Sequence, residues 1–227
     1  MQLWLIRHGQ SLTESAPGVF TPDGKLSPLG EAQARRTARR LAAEEITHLL
    51  SSPLVWALAT ASTIAETIDN LPVEVWTELR EGYGDMPGQS VAMYHGPNRT
   101  AIRQQFPGVI LPLDIRDDGW DHGGDNTYEA FFVRCQRLAG MLHQRLEAKD
   151  RVVVVGHGGC LNYLLHALLG VPASMPVWFH LDHCAISTLR LVPERERQQG
   201  GPVYPAVRVE VVRLNVVAHL AAAERRR

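Results

Sequence analysis

The segment Arg151-Val152-Val153-Val154-Val155 is an uninterrupted β-branched run that breaks at Gly156-His157-Gly158-Gly159. Branching at Cβ stiffens a side chain and suits a pleated strand, and a run without polar alternation belongs to a strand buried on both faces. Such strands occur in parallel sheets packed between helices. Apolar runs at Gln2–Ile6, Ile46–Leu50 and Val73–Trp76 read as further strands, with Trp178–Leu191 and Val203–Leu214 as the last two. Helical spacing begins at Pro28 (Leu29, Ala32, Ala38, Leu41), with Ser27 as its cap, and recurs over Leu54–Ile68, Asn126–Ala148 and Cys160–Leu169. This alternation predicts an α/β fold, a three-layer α/β/α sandwich with a largely parallel mixed sheet. Between about 80 and 125 the periodicity fades and Gly and Pro accumulate, so that stretch reads as an inserted cap within a single domain spanning 1–227.

Composition narrows the function. Lys plus Arg number 23 against 24 Asp plus Glu, a net charge of −1, which is the wrong balance for holding a nucleic-acid backbone. No apolar stretch approaches the roughly 20 residues of a spanning helix, and the N-terminus lacks the basic region of a signal peptide. Three cysteines (Cys135, Cys160, Cys184) without framework spacing fit a reducing cytoplasm. The expected partner is a small molecule rather than nucleic acid or membrane; oligomeric state is left open, a dimer included. Arg35, Arg36, Arg39 and Arg40 read as a solvated helix face.

In open α/β sheets, ligands bind outside the carboxyl ends of the strands. Two histidines fall there: His8 after the first strand, within Arg7-His8-Gly9-Gln10, and His157 after the valine run. A neutral imidazole whose other nitrogen is held can attack phosphorus. Arg7 offers a planar fork of donors to phosphate oxygens, and His157 with Gly158 can add an imidazole and a backbone N–H at a helix start. Glu81 is the best-placed carboxyl to protonate a leaving oxygen, with Glu78 and Asp85 behind it.

The segments Leu5-Ile6-Arg7-His8-Gly9-Gln10-Ser11, Leu26-Ser27-Pro28-Leu29-Gly30-Glu31-Ala32, Ser51-Ser52-Pro53-Leu54, Leu79-Arg80-Glu81 and Gly156-His157-Gly158-Gly159 occur in this order. In this respect the chain resembles the histidine phosphatase superfamily, which includes phosphoglycerate mutases and broad-specificity phosphatases. The resemblance implies a phosphomonoesterase of the histidine acid phosphatase type, acting on a small phosphate ester through a phosphohistidine. On that reading His8 is the nucleophile, Arg7 and His157 hold the phosphate, Glu81 donates the proton, Ser11 and Trp56 line the pocket, and no metal or other cofactor is needed.

Three positions depart from the family pattern. Trp56 stands where a second phosphate-binding arginine is expected, Glu14 is near a frequent asparagine, and Asn162 stands where many relatives carry arginine. These departures motivate an alternative: a weakened or inactive member that binds an anionic metabolite or a protein partner. Arg80 is a candidate substitute for the missing arginine. Six acids against one base, Arg116, between Asp114 and Glu129 would suit a zwitterionic substrate if they faced the site, or a solvated loop and helix start if not. His180, Asp182, His183 and Cys184 have metal-ligand chemistry, but a strand there would turn neighbours to opposite faces, so no metal site is expected.

Overall fold

The structure, a computed structural model, describes residues 1–15, 24–82, 96–120, 127–197 and 206–225. Among these residues lie seven strands: β1 (Gln2–Arg7), β2 (His48–Ser51), β3 (Val73–Val75), β4 (Val109–Ile110), β5 (Arg151–Gly156), β6 (Ile186–Leu191) and β7 (Val209–Val216). The helices are α1 (Leu12–Ser15), α2 (Pro28–Leu41), α3 (Val55–Thr67), α4 (Arg99–Gln105), α5 (Tyr128–Arg145) and α6 (Gly158–Leu169). The strands form one mixed sheet in the order β4-β3-β2-β5-β1-β6-β7. Only the β1–β6 and β6–β7 pairings are antiparallel.

The valine run sits at the centre, with parallel neighbours on both sides. Val152 to Val155 are all fully buried. Burying each such side chain is worth roughly 1.5–3 kcal/mol over leaving it in water, which makes β5 the fixed reference of the molecule. Alternate residues feed two cores. Val153 and Val155 pack with Trp4, Ile6 and α2–α3 on one face, and Val152 and Val154 with Leu3, Leu5 and α5–α6 on the other. The three layers follow from that period of two.

Some boundaries differ from the sequence reading. Residues 178–185 are not strand; β6 begins only at Ile186, because 177–181 is held by side chains instead of a ladder. The last strand begins at Val209 rather than Val203; residues 203–205 lie outside the described set. The segment 80–125 also supplies an edge strand, since β4 pairs in parallel with β3. Arg35, Arg39 and Arg40 are exposed and Arg36 pairs with Glu224, a solvated face as expected.

One contact fixes the loop that follows β1. A Cβ on Gly9 would meet the Gly30 carbonyl oxygen at 2.5 Å, and one on Gly30 would lie 2.0 Å from the Gln10 carbonyl oxygen. The first turn of α2, capped by Ser27 Oγ on the Gly30 N–H (3.1 Å), therefore presses against the Gly9–Gln10 backbone. Gly30→Ala is expected to destabilise the protein by at least about 1–3 kcal/mol through overpacking. Gly140→Ala, in α5 where a Cβ meets nothing within 4 Å, is expected to be neutral or to gain about 0.5–1 kcal/mol. Denaturant unfolding of the two variants checks the contrast.

Candidate active site

Parallel register carries the site. Ile6 pairs with Val155 and Arg7 with Gly156 across β1 and β5, while Ser51 of β2 pairs with Val155. The residues leaving these three strands, His8, His157 and Ser52, therefore emerge side by side at one sheet edge. The two imidazole rings lie 5.0 Å apart. They form the floor of a cleft of about 390 Å³, walled by Arg7, Glu14, Trp56, Glu81 and the exposed Trp178. Ser11 and Gly158 also line it, so Arg7, His8, Ser11, Trp56, Glu81, His157 and Gly158 all reach the same cavity.

The hydrogen bonds fix the tautomers. His8 Nδ1 lies 2.8 Å from the Gly9 carbonyl, which only accepts, so Nδ1 carries the proton and Nε2 of the neutral ring is a bare lone pair. At His157 the order is reversed. The Trp56 indole N–H, which only donates, points at His157 Nδ1 (3.1 Å), leaving Nε2–H to donate to Ser52 Oγ (2.7 Å). His157 thus spends its one N–H on Ser52, and contact with a bound oxyanion requires exchange of that bond.

Glu81 does not stand free in the cleft. Its Oε2 accepts from Gly159 N–H (2.9 Å) and its Oε1 from Cys160 N–H (3.0 Å) and Gly82 N–H (3.0 Å). It caps α6 from outside, where the helix's own N-cap residue, His157, offers no side-chain bond. A Cβ on Gly159 would stand 2.6 Å from Oε1, so glycine there admits the chain's own carboxylate rather than a ligand. Burial raises the Glu81 pKa against these N–H groups and Arg134, which favours a carboxyl that carries a proton to donate.

The cationic side is partly neutralised. Arg7 donates to Glu14 Oε1 (2.8 Å) and to the Leu181 carbonyl (3.0 Å), while Glu14 Oε2 accepts from Ser11 N–H (3.0 Å) and Oγ (2.9 Å). Burial works against ionisation of Glu14, but positive charge on His8 or His183 when either is protonated, the Ser11 N–H and the Arg7 guanidinium outweigh it and hold the carboxyl well below its usual range. Burial drives His8 down to about 3, with His183 and Arg7 adding to the effect and Glu14 opposing it. His157 is likewise well below its ordinary value, through burial first and then His8 and Arg7.

Other candidates separate from the cleft. Arg80 donates to the Thr77 carbonyl (3.3 Å) and does not line the cavity, so it does not replace the arginine absent at Trp56. Glu78 accepts from Thr77 Oγ1 (3.0 Å) outside it, and Asp85, Asp121 and Asp125 lie outside the described residues. Asp117 and Asp118 are exposed. Asn162 is a clamp, its amide bonded to the backbone of Phe179 in both directions, which with the His166–Val177 bond (3.0 Å) presents Trp178 at the mouth. His183, Ser52 and Thr60 escaped the sequence reading as site members. His183 Nδ1 donates to the His8 carbonyl (3.1 Å) and Thr60 Oγ1 accepts from Gly9 N–H (3.1 Å). Ser52 belongs to the Ser51-Ser52-Pro53-Leu54 segment, whereas His183 lies on residues whose composition suggests a strand that does not form.

A largely parallel sheet thus brings an arginine, two neutral imidazoles and a buried carboxyl together at its carboxyl end, a set of groups suited to holding a phosphate. The comparisons with known proteins name the class more closely. The model of the histidine phosphatase superfamily (branch 1) matches residues 3–200, and the chain belongs to that family. It is 27% identical over 191 residues to the "Probable phosphoglycerate mutase GpmB" of Photorhabdus laumondii, covering 82% of this chain and 83% of that one. It is 30% identical over 166 residues to phosphoglycerate mutase-like protein 4 of Arabidopsis thaliana, covering 72% and 69%. Among solved structures, a mycobacterial glucosyl-3-phosphoglycerate phosphatase complexed with VO3 matches with TM-score 0.61 and 25% identity, covering 94% of this chain and 98% of that one. The alpha-ribazole phosphatase of Shigella flexneri matches in fold with TM-score 0.63 at 24% identity, covering 95% and 96%.

Buried neutral histidines make stability depend on pH. His8, His157 and His183 all have folded pKa values below the unfolded value of about 6.5. Their contribution is complete above about pH 6.5 and is lost as pH falls below it, for His8 down to about 3, because the unfolded chain then binds protons the fold refuses. Glu81, raised, acts in the opposite sense, but as one group against three. The melting temperature is expected to fall below pH 6.5, each histidine adding up to about 1.4 kcal/mol per pH unit. His157→Gln should flatten the slope, as read by thermal melts from pH 8 to 4.5.

Proposed function

We propose that the protein is a phosphomonoesterase that hydrolyses a small phosphate ester through a phosphohistidine on His8. The observation that carries this reading is the bare Nε2 of a neutral, buried His8 at the cleft floor, held in its tautomer by the Gly9 carbonyl. In the first step Nε2 forms a bond to phosphorus as the ester oxygen leaves, taking its proton from Glu81. In the second, Glu81 as carboxylate accepts a proton from water, whose oxygen displaces His8 and releases phosphate. Arg7 and the Gly158 N–H hold non-bridging oxygens, and His157 joins them when its bond to Ser52 is exchanged. Relatives and neighbours named as a mutase and as phosphatases support a phosphate ester as substrate. Three buried free cysteines support a cytoplasmic setting.

A second reading has its own observation. Glu14 neutralises Arg7 and Trp56 occupies His157 Nδ1, so the cleft holds less cationic donor capacity than the family pattern provides. That suits a weakened member that binds an anionic metabolite or a protein partner. Turnover of an aryl phosphate separates the two. The phosphatase reading expects metal-independent hydrolysis, abolished by His8→Ala, with acid-labile, base-stable phosphate trapped on His8. Glu81→Gln should lower kcat about 10²–10⁴-fold on alkyl esters and less on aryl esters, whose leaving oxygen needs no proton. Trp56→Arg should raise kcat/KM by about tenfold or more, given the roughly 10²–10³-fold value of one preorganised donor. No turnover by wild type or Trp56→Arg across a broad panel of esters would establish the second reading instead.

A further inference from the structure

His8 is flanked by a second imidazole besides His157, that of His183 at 5.4 Å between ring centroids, and the proposed phosphoryl transfer gives His183 no role. His183, on the loop before β6, donates Nδ1–H to the His8 carbonyl (3.1 Å), which leaves Nε2 of its neutral ring as a lone pair. That lone pair faces Glu14 Oε1 at 3.5 Å. A ring nitrogen of His8, one of His183 and a carboxylate oxygen of Glu14 lie within 4.8 Å of one another, and Nε2 is the His8 nitrogen left without a carbonyl partner. Among the described residues, two imidazole nitrogens without a hydrogen-bond donor thus neighbour a carboxylate oxygen that accepts from Arg7.

We propose that His8 Nε2, His183 Nε2 and Glu14 Oε1 form a binding site for a borderline divalent transition ion of the zinc class. Both imidazoles are oriented by backbone carbonyls on their remote nitrogens, the outer contact that metal-bound histidines ordinarily make. Glu14 is also pre-set, with Oε2 held by Ser11 N–H and Oγ. Small side-chain rotations bring the three atoms to the ~3–4 Å spacing of ligands on one ion with bonds of about 2.0–2.2 Å. Two nitrogens and one carboxylate oxygen select zinc, cobalt or nickel over magnesium or calcium, which want an oxygen shell. Arg7 shares Oε1 and repels the ion; the Glu14 charge between them offsets that repulsion. A single lone pair on His8 Nε2 cannot bond to a metal and to phosphorus together. The ion is therefore an inhibitor of the phosphatase, and that clause alone rests on the function proposed above.

Calorimetric titration of the untagged, metal-stripped full chain with Zn²⁺ tests the site directly. One ion per chain is expected, with no binding of Mg²⁺. Glu14→Gln and His183→Gln should each weaken Zn²⁺ at least about tenfold, while His180→Ala, on the exposed His180–Asp182 pair, should leave it unchanged. Melting curves show which variants are folded, and Glu14→Gln decides the matter if His183→Gln is not. Absence of Zn²⁺ binding, or binding lost with His180 and kept without Glu14, overturns the proposal. In the kinetic arm, Zn²⁺ should raise the apparent KM for an aryl phosphate in the wild type and lose that effect in Glu14→Gln. A wild type that binds Zn²⁺ but has no phosphatase activity would refute the function and leave the metal site standing.

Discussion

The parallel register of β2, β5 and β1 is the constraint on which the rest depends. Because Ser51, Val155 and Ile6 are level across these strands, the next residues out, Ser52, His157 and His8, are adjacent without any loop having to bring them together. Backbone bonds continue the ladder past the strand ends, His8 N–H to the Gly156 carbonyl (3.0 Å) and Ser52 N–H to the Val155 carbonyl (3.0 Å). The site thus inherits the rigidity of a strand buried on both faces. A one-residue slip of β1 would turn its core residues to the other layer and remove the His8–His157 contact together. Fold and site therefore fail or stand as one.

Rigidity of that kind lets single hydrogen bonds decide chemistry. The Gly9 carbonyl, the Trp56 indole and the His8 carbonyl each accept or donate in one way only, so they dictate the tautomers of His8, His157 and His183. Two lone pairs at Nε2 and one N–H pointed at Ser52 result. The same carbonyl bond that leaves His8 Nε2 bare serves both proposed roles, attack on phosphorus and metal binding.

Much of this was legible in the sequence because it rested on period and on local punctuation. The valine run, the helix begun by Ser27-Pro28 and the two histidines at strand exits each announce themselves within a few residues. What was not legible depended on contacts between distant segments. Residues 178–185 have the apolar, aromatic composition of a strand, but Asn162 and Arg7 take the carbonyls of Phe179 and Leu181, and His166 that of Val177 just before, which holds the segment out of the sheet. Assigning a strand there separates His183 from His8, whereas the loop brings the two together, with His183 Nδ1 3.1 Å from the His8 carbonyl. Glu81 was found by its position after the third strand, yet its partners lie on α6, nearly eighty residues further along. Ordering by sequence cannot show that a carboxyl meant for a ligand also caps a helix.

The two departures at Glu14 and Trp56 bear on one quantity. A dianionic phosphate near a guanidinium gains on the order of 4 kcal/mol per charge pair at 4 Å and an effective dielectric of 20. Replacing an arginine by an indole forfeits that gain, and a carboxylate 2.8 Å from the remaining guanidinium returns a repulsion of similar size. The same carboxylate acts on His8 in the opposite sense, since it favours the imidazolium and so raises the basicity that burial and Arg7 lower. A more basic imidazole is a better nucleophile. On the proposed phosphatase reading, Glu14 therefore exchanges attraction for an anionic ester against basicity of the His8 nitrogen.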